Sequence, residues 1–182
     1  TDRTLPGFFT TPYLVSSGTI FALSRLGGQE LRRSTNGGQT WSLISLPLAP
    51  DPNEDLQSVL DLNNGRLLLS TNKNLLASDD GGLTWSLLPD FPERPQGLLL
   101  GFPLPNGDIM GTRNGTLFRS SDGGATWAFS SEGIRQASAQ QLVLLTDSLQ
   151  MAVTSNGLWR TENAGESWER LLPDTGSVGY SY

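Results

Sequence analysis

An eight-residue segment recurs four times along this chain, and its spacing limits the fold more than any other feature. The copies are Ser34-Thr35-Asn36-Gly37-Gly38-Gln39-Thr40-Trp41, Ser78-Asp79-Asp80-Gly81-Gly82-Leu83-Thr84-Trp85, Ser120-Ser121-Asp122-Gly123-Gly124-Ala125-Thr126-Trp127 and Thr161-Glu162-Asn163-Ala164-Gly165-Glu166-Ser167-Trp168. Their tryptophans follow one another at intervals of 44, 42 and 41 residues. That is the length of one four-stranded unit of a radially repeated β-fold. The residue types are those of a hairpin turn. A short Asp or Asn side chain accepts hydrogen bonds from backbone amides just ahead of it, and the fifth-position Gly takes positive φ without a Cβ penalty. The Ser or Thr hydroxyls at positions one and seven are placed to pair across the hairpin neck. The Trp then opens the outgoing strand with a large face to bury.

The flanks repeat as well. Alternating apolar runs at 19–24, 66–70, 108–112 and 150–154 read as second strands, and Asn64-Gly65 and Asn106-Gly107 are strong hairpin signals. Third strands follow at 31–33, 75–77, 116–119 and 158–160, and first strands are read at 13–16, 58–62, 98–103 and 141–146. The expected fold is all-β: an array of four four-stranded antiparallel blades spanning roughly 7–47, 56–90, 97–131 and 139–173. Charged residues at only 16%, with 21 Gly and 11 Pro, agree with a turn-rich β-protein.

These octapeptides resemble the Asp-box, or BNR, repeat of sialidase-like, sortilin-like and photosystem II assembly factor-like propellers. The resemblance implies a β-propeller with the Asp-box turns on the outer part of each blade, opposite the usual binding face. It marks a fold and not an activity. Ser34, Asn36, Gly38, Trp41, Ser78, Asp80, Gly82, Trp85, Ser120, Asp122, Gly124, Trp127, Thr161, Asn163, Gly165 and Trp168 are its structural residues here. Copies one and four depart by carrying Asn36 and Asn163 for Asp, and copy four also has Ala164 and Ser167. The sialidase Arg-Ile-Pro signature is absent, and Tyr13, Tyr180 and Tyr182 lack the context of that family's nucleophile. The closing stretch 176–182 alternates as the first strand of another unit would, so the array is expected to belong to a larger or self-associating propeller. Relatives of this kind work mostly outside the cytosol, which implies a secreted or periplasmic protein.

Charge and composition narrow the function. Twelve Lys and Arg against eighteen Asp and Glu give a net charge of −6, the wrong sign for a nucleic-acid footprint. There is no Cys and no His, which removes thiolate chemistry, cysteine zinc sites and the commonest general base. No apolar run reaches the length of a membrane span, so no membrane insertion is expected. No cofactor or metal site is predicted, because the acidic clusters at 51–55 and 79–80 do not match calcium-loop spacing and are read as turn caps.

In a propeller, the loops between blades and the turns between second and third strands share one face. They diverge most between copies and are free to carry recognition. The ligand-binding candidates on that face are Arg25, Asp51, Glu54, Lys73, Asp90, Glu93, Arg94, Arg113, Glu132 and Arg135. Their carboxylates are read as solvated loop charges. Arg33, Arg119 and Arg160, each just ahead of an octapeptide, are read as structural residues whose stems cover the Trp rings. The expected function is a non-catalytic recognition or assembly scaffold for a protein or glycan. The alternative is a fragment of a secreted glycoside hydrolase, which would need two carboxylates across a cleft.

Overall fold

A computed structural model describes residues 12–24, 29–89, 98–130, 134, 139–146 and 149–173. Every regular element among them is a β-strand, and the strands form four antiparallel sheets of four. Blade 1 holds β1 (Tyr13–Leu14), β2 (Ile20–Leu23), β3 (Leu31–Ser34) and β4 (Ser42–Ile44). Blade 2 holds β5 (Leu56–Asp61), β6 (Leu67–Thr71), β7 (Leu75–Ser78) and β8 (Ser86–Leu87). Blade 3 holds β9 (Leu99–Pro103), β10 (Ile109–Arg113), β11 (Thr116–Ser120) and β12 (Ala128–Phe129). Blade 4 holds β13 (Ala139–Leu144), β14 (Gln150–Thr154), β15 (Gly157–Thr161) and β16 (Glu169–Pro173). Each strand pairs with its neighbours in sequence, so every blade is a meander. The expected four-bladed all-β array is present.

The strand period of two gives each blade two apolar faces, as a sheet buried on both sides requires. In the central strands Phe21, Leu23 and Leu31 of blade 1 point forward, against Leu67, Leu69, Leu76 and Trp85 of blade 2. Leu68, Leu75 and Ala77 of blade 2 meet Ile109, Phe118 and Trp127 of blade 3. Met110 and Leu117 of blade 3 meet Ala152, Trp159 and Trp168 of blade 4. The core is thus three separate layers, one between each pair of consecutive blades. On the forward face of blade 4, Val143 and Val153 are 36% and 39% exposed. No hydrophobic cluster among the described residues joins blade 4 to blade 1.

The octapeptide glycines belong to this packing. Gly82, Gly124 and Gly165 have φ of +80°, +91° and +84°, and an added Cβ would lie 2.2 Å from the Phe21 ring, 2.9 Å from Leu68 and 2.8 Å from the Ser130 hydroxyl respectively. Each turn therefore presses its bare backbone into the preceding blade. Gly38, in the first blade, meets only its own Trp41 ring, at 3.5 Å. The recurrent arginines act here too. Arg33 Nε donates to the Gly81 carbonyl of blade 2 at 3.0 Å, and Arg119 pairs with Asp108 and reaches Glu166 of blade 4 at 3.2 Å. The guanidinium groups of these two side chains reach the next blade's turn. Arg160 holds the same register position in blade 4 and pairs with Glu162 and Glu169 of its own blade.

Candidate functional site

The two ends of the array differ in chemistry. At one end stand the four octapeptide turns, closed by short-range bonds. The first-position hydroxyl of Ser34, Ser78, Ser120 and Thr161 donates to the third-position Asx oxygen and accepts the fifth-position glycine amide, all at 2.7–3.0 Å. The seventh-position amide then donates to that Asx oxygen at 2.8–3.0 Å. Positions one and seven thus meet through the Asx side chain and not directly across the neck. In copies two and three the Thr84 and Thr126 hydroxyls donate to carboxylates. In copies one and four the direction reverses, and the Asn36 and Asn163 amides donate to Thr40 and Ser167. The hydroxyl and amide of Thr84 draw the Asp80 pKa down to about 2. Burial works to raise that of Asp122, but hydrogen bonds from Thr126 and Ser120 outweigh it and hold it low. The first-position hydroxyls and the Asx side chains of these turns are thus engaged within the turns themselves.

At the opposite end lie the loops between blades and the turns after β2, β6, β10 and β14. Asp51 and Lys73 come together there, with Lys73 Nζ donating to Asp51 Oδ2 at 2.5 Å. That bond, followed by the Asn53 amide on Oδ1, holds the Asp51 carboxyl below its ordinary range. Glu54 is not the solvated loop charge the sequence suggests. It is 4% exposed, and its carboxylate accepts the Thr71 hydroxyl at 2.6 Å, Asn74 Nδ2 at 2.7 Å and Gln29 Nε2 at 3.1 Å. A buried carboxylate needs such donors, and here it ties the loop after blade 1 to the β6–β7 turn. Arg113 ends β10 and is exposed. Arg25, Asp90, Glu93, Arg94, Glu132 and Arg135 lie outside the described residues.

A cleft of about 230 Å³ opens between the inner strands of blades 3 and 4, lined by Leu100, Gly101, Phe102, Thr112, Ala139, Gln141 and Leu142. Two irregularities shape it. The β9–β10 register shifts between Met110 and Gly111, and the β13–β14 register shifts between Ala139 and Gln141. A Cβ on Gly101 would stand 2.9 Å from the Met110 carbonyl, so the backbones cross too closely there for any side chain. The Ala139 amide donates to the Gly115 carbonyl of the β10–β11 turn at 2.7 Å, pinning the mouth of the cleft beside Arg113. Sequence reading missed these residues because they come from strands and not from divergent loops. The one signal was a pair of glycines, Gly101 and Gly111, inside otherwise apolar strands.

A family model for the BNR/Asp-box repeat matches residues 32–43 and 76–87. The chain carries BNR/Asp-box repeats. Solved structures sharing the fold of these Asp-box blades include an ancestral GH74 enzyme, 17% identical at a TM-score of 0.67 over 95% of this chain and 25% of that one. YCF48 bound to D1 peptide is 15% identical at a TM-score of 0.62 over 93% of this chain and 55% of that one. The extracellular domain of BT4673 from B. thetaiotaomicron is 15% identical at a TM-score of 0.65, over 98% of this chain and 24% of that one. The chain thus spans about a quarter to just over half of the length of these three chains. No curated protein sequence is significantly similar to it.

Proposed function

We propose that this chain is a non-catalytic recognition scaffold that binds an extended protein segment through the loop face, with the cleft between blades 3 and 4 taking an apolar side chain. The cleft carries the reading: it is small, mostly apolar, and bordered by the polar Thr112 and Gln141, as a pocket for one or two side chains should be. Arg113 beside it suits an acidic or carbonyl group on the same ligand. Asp51, Lys73 and Arg113, with Arg25, Asp90, Glu93, Arg94, Glu132 and Arg135, are proposed as the surrounding contacts. Glu54 positions the loop that carries Asp51. The structure of YCF48 bound to D1 peptide supports the reading, since that chain shares the fold.

The hydrolase alternative is less well supported. Of the candidate loop carboxylates described, Asp51 is held by Lys73 and Glu54 by three donors, so both are engaged in bonds within the fold. We further propose that the blades form part of a larger or associating propeller that works outside the cytosol. The exposed apolar residues on the forward face of blade 4 support the first point, and the extracellular neighbour supports the second. The deciding experiment screens a random peptide array and a glycan array with the chain and its Leu142→Arg variant. Peptides are expected to bind and to lose about tenfold or more in affinity with the variant, equivalent to about 1.4 kcal/mol or more. Glycan binding without peptide binding, or hydrolysis of a glucan panel, overturns the reading.

A further inference from the structure

Five Asn-Gly pairs occur in the chain, at Asn36, Asn64, Asn106, Asn114 and Asn156. This dipeptide has its own chemistry. The glycine backbone nitrogen, unhindered by a Cβ, can attack the Asn side-chain carbonyl carbon once it loses its proton. A C–N bond forms, the side-chain amide leaves as ammonia, and water opens the resulting succinimide to Asp or to isoAsp. Water is the only co-reactant. The reaction requires an Asn side chain free to rotate onto the next nitrogen, so a hydrogen-bonded Asn is protected.

Four of the five are held. Asn36 accepts the Ser34 hydroxyl and the Thr40 amide and donates to Thr40 Oγ1. Asn64 Oδ1 accepts the Arg66 amide at 3.0 Å. Asn106 accepts the Asp108 amide and donates to its carboxylate. Asn156 Oδ1 accepts both the Trp159 indole N–H and the Thr154 hydroxyl. Asn114 differs: it is exposed, and its side chain has no hydrogen-bond partner among the described residues. It sits with Gly115 at the tip of a two-residue turn, at φ of 47° and 78°. The β10–β11 ladder closes at Arg113 and Thr116, so the Gly115 N–H lies outside it.

We infer that Asn114-Gly115 is a site of spontaneous deamidation, the first of the five to convert. The site has a structural readout, because the Gly115 carbonyl accepts the Ala139 amide across the seam between blades 3 and 4. The Asp product sets a carboxylate next to Arg113. The isoAsp product lengthens the backbone by one methylene inside a two-residue turn and displaces that carbonyl. The inference rests on turn geometry and not on the proposed ligand, so a failed peptide screen leaves it standing.

The test incubates the purified chain near neutral pH and follows each Asn-Gly peptide by mass spectrometry. The Asn114 peptide is expected to gain about 1 Da ahead of the other four. Its rate should rise about tenfold per pH unit while the attacking amide remains far below its pKa. The isoAsp form should lose hydrogen-exchange protection at Ala139, whereas Asn114→Asp, which keeps the normal backbone, should retain it. Earlier conversion of any other Asn-Gly pair, no conversion at Asn114, or a pH-independent rate overturns the inference.

Discussion

Asn36 and Asn163 accept the first-position hydroxyl and the seventh-position amide as Asp80 and Asp122 do, but without a charge, and this contrast has a pH signature. A carboxyl whose folded pKa lies below its unfolded value stabilises the fold at neutral pH. That stability is lost as pH falls from the ordinary value of 3.8 toward the folded value, about 2 for Asp80. The double variant Asp80→Asn, Asp122→Asn should therefore lose less stability between about pH 4 and 2 than the parent. Urea midpoints at neutral pH and through that window check this, and parallel curves for the two proteins would sink it. These turns were legible residue by residue, because every partner lies within four positions of the Asx. Glu54 was not, because its donors Thr71, Asn74 and Gln29 stand 17, 20 and 25 residues away. Nothing in the local sequence distinguishes it from the exposed Asn53 before it.

Among the elements, the octapeptide hairpins of blades 2, 3 and 4 carry two loads at once, their own turn and the contact with the blade behind. Gly82→Ala combines left-handed strain with a Cβ 2.2 Å from the Phe21 ring, and should cost about 3–5 kcal/mol. Gly38→Ala has the same backbone strain but only an ordinary 3.5 Å contact with the Trp41 ring, and should cost only about 1–2 kcal/mol. Denaturant titration of the two variants separates the loads, and equal losses would refute the idea that the turn wedges into its neighbour. The sixteen strands were readable in advance because alternation and Asn-Gly turns fix them locally. The cleft was not, because it depends on two register shifts in strands of different blades. Period-two patterning shows where a strand runs, not where it is bulged.

At the scale of the molecule, the hydrophobic clusters among the described residues each join consecutive blades, and the layers differ in quality. Gln150 is fully buried between blades 3 and 4 with neither amide atom hydrogen-bonded among the described residues, where blades 2 and 3 place Leu67 and Ile109. Gln150→Leu should therefore stabilise the chain by about 1–2 kcal/mol. A higher melting temperature and slower exchange in β14 and β15 would verify this, and a lower melting temperature would show that Gln150 makes a bond that matters. The three stacked layers also determine how the chain would respond to force. Tension applied between its two ends runs through each interface in series, so no single core bears the load and the blades give way one at a time. A pulled chain would pay out in parcels of 41–44 residues, the spacing of its tryptophans, each about 150 Å long when fully extended. Such a molecule fails as a rope of separate links does, at the weakest link first and with the rest still folded.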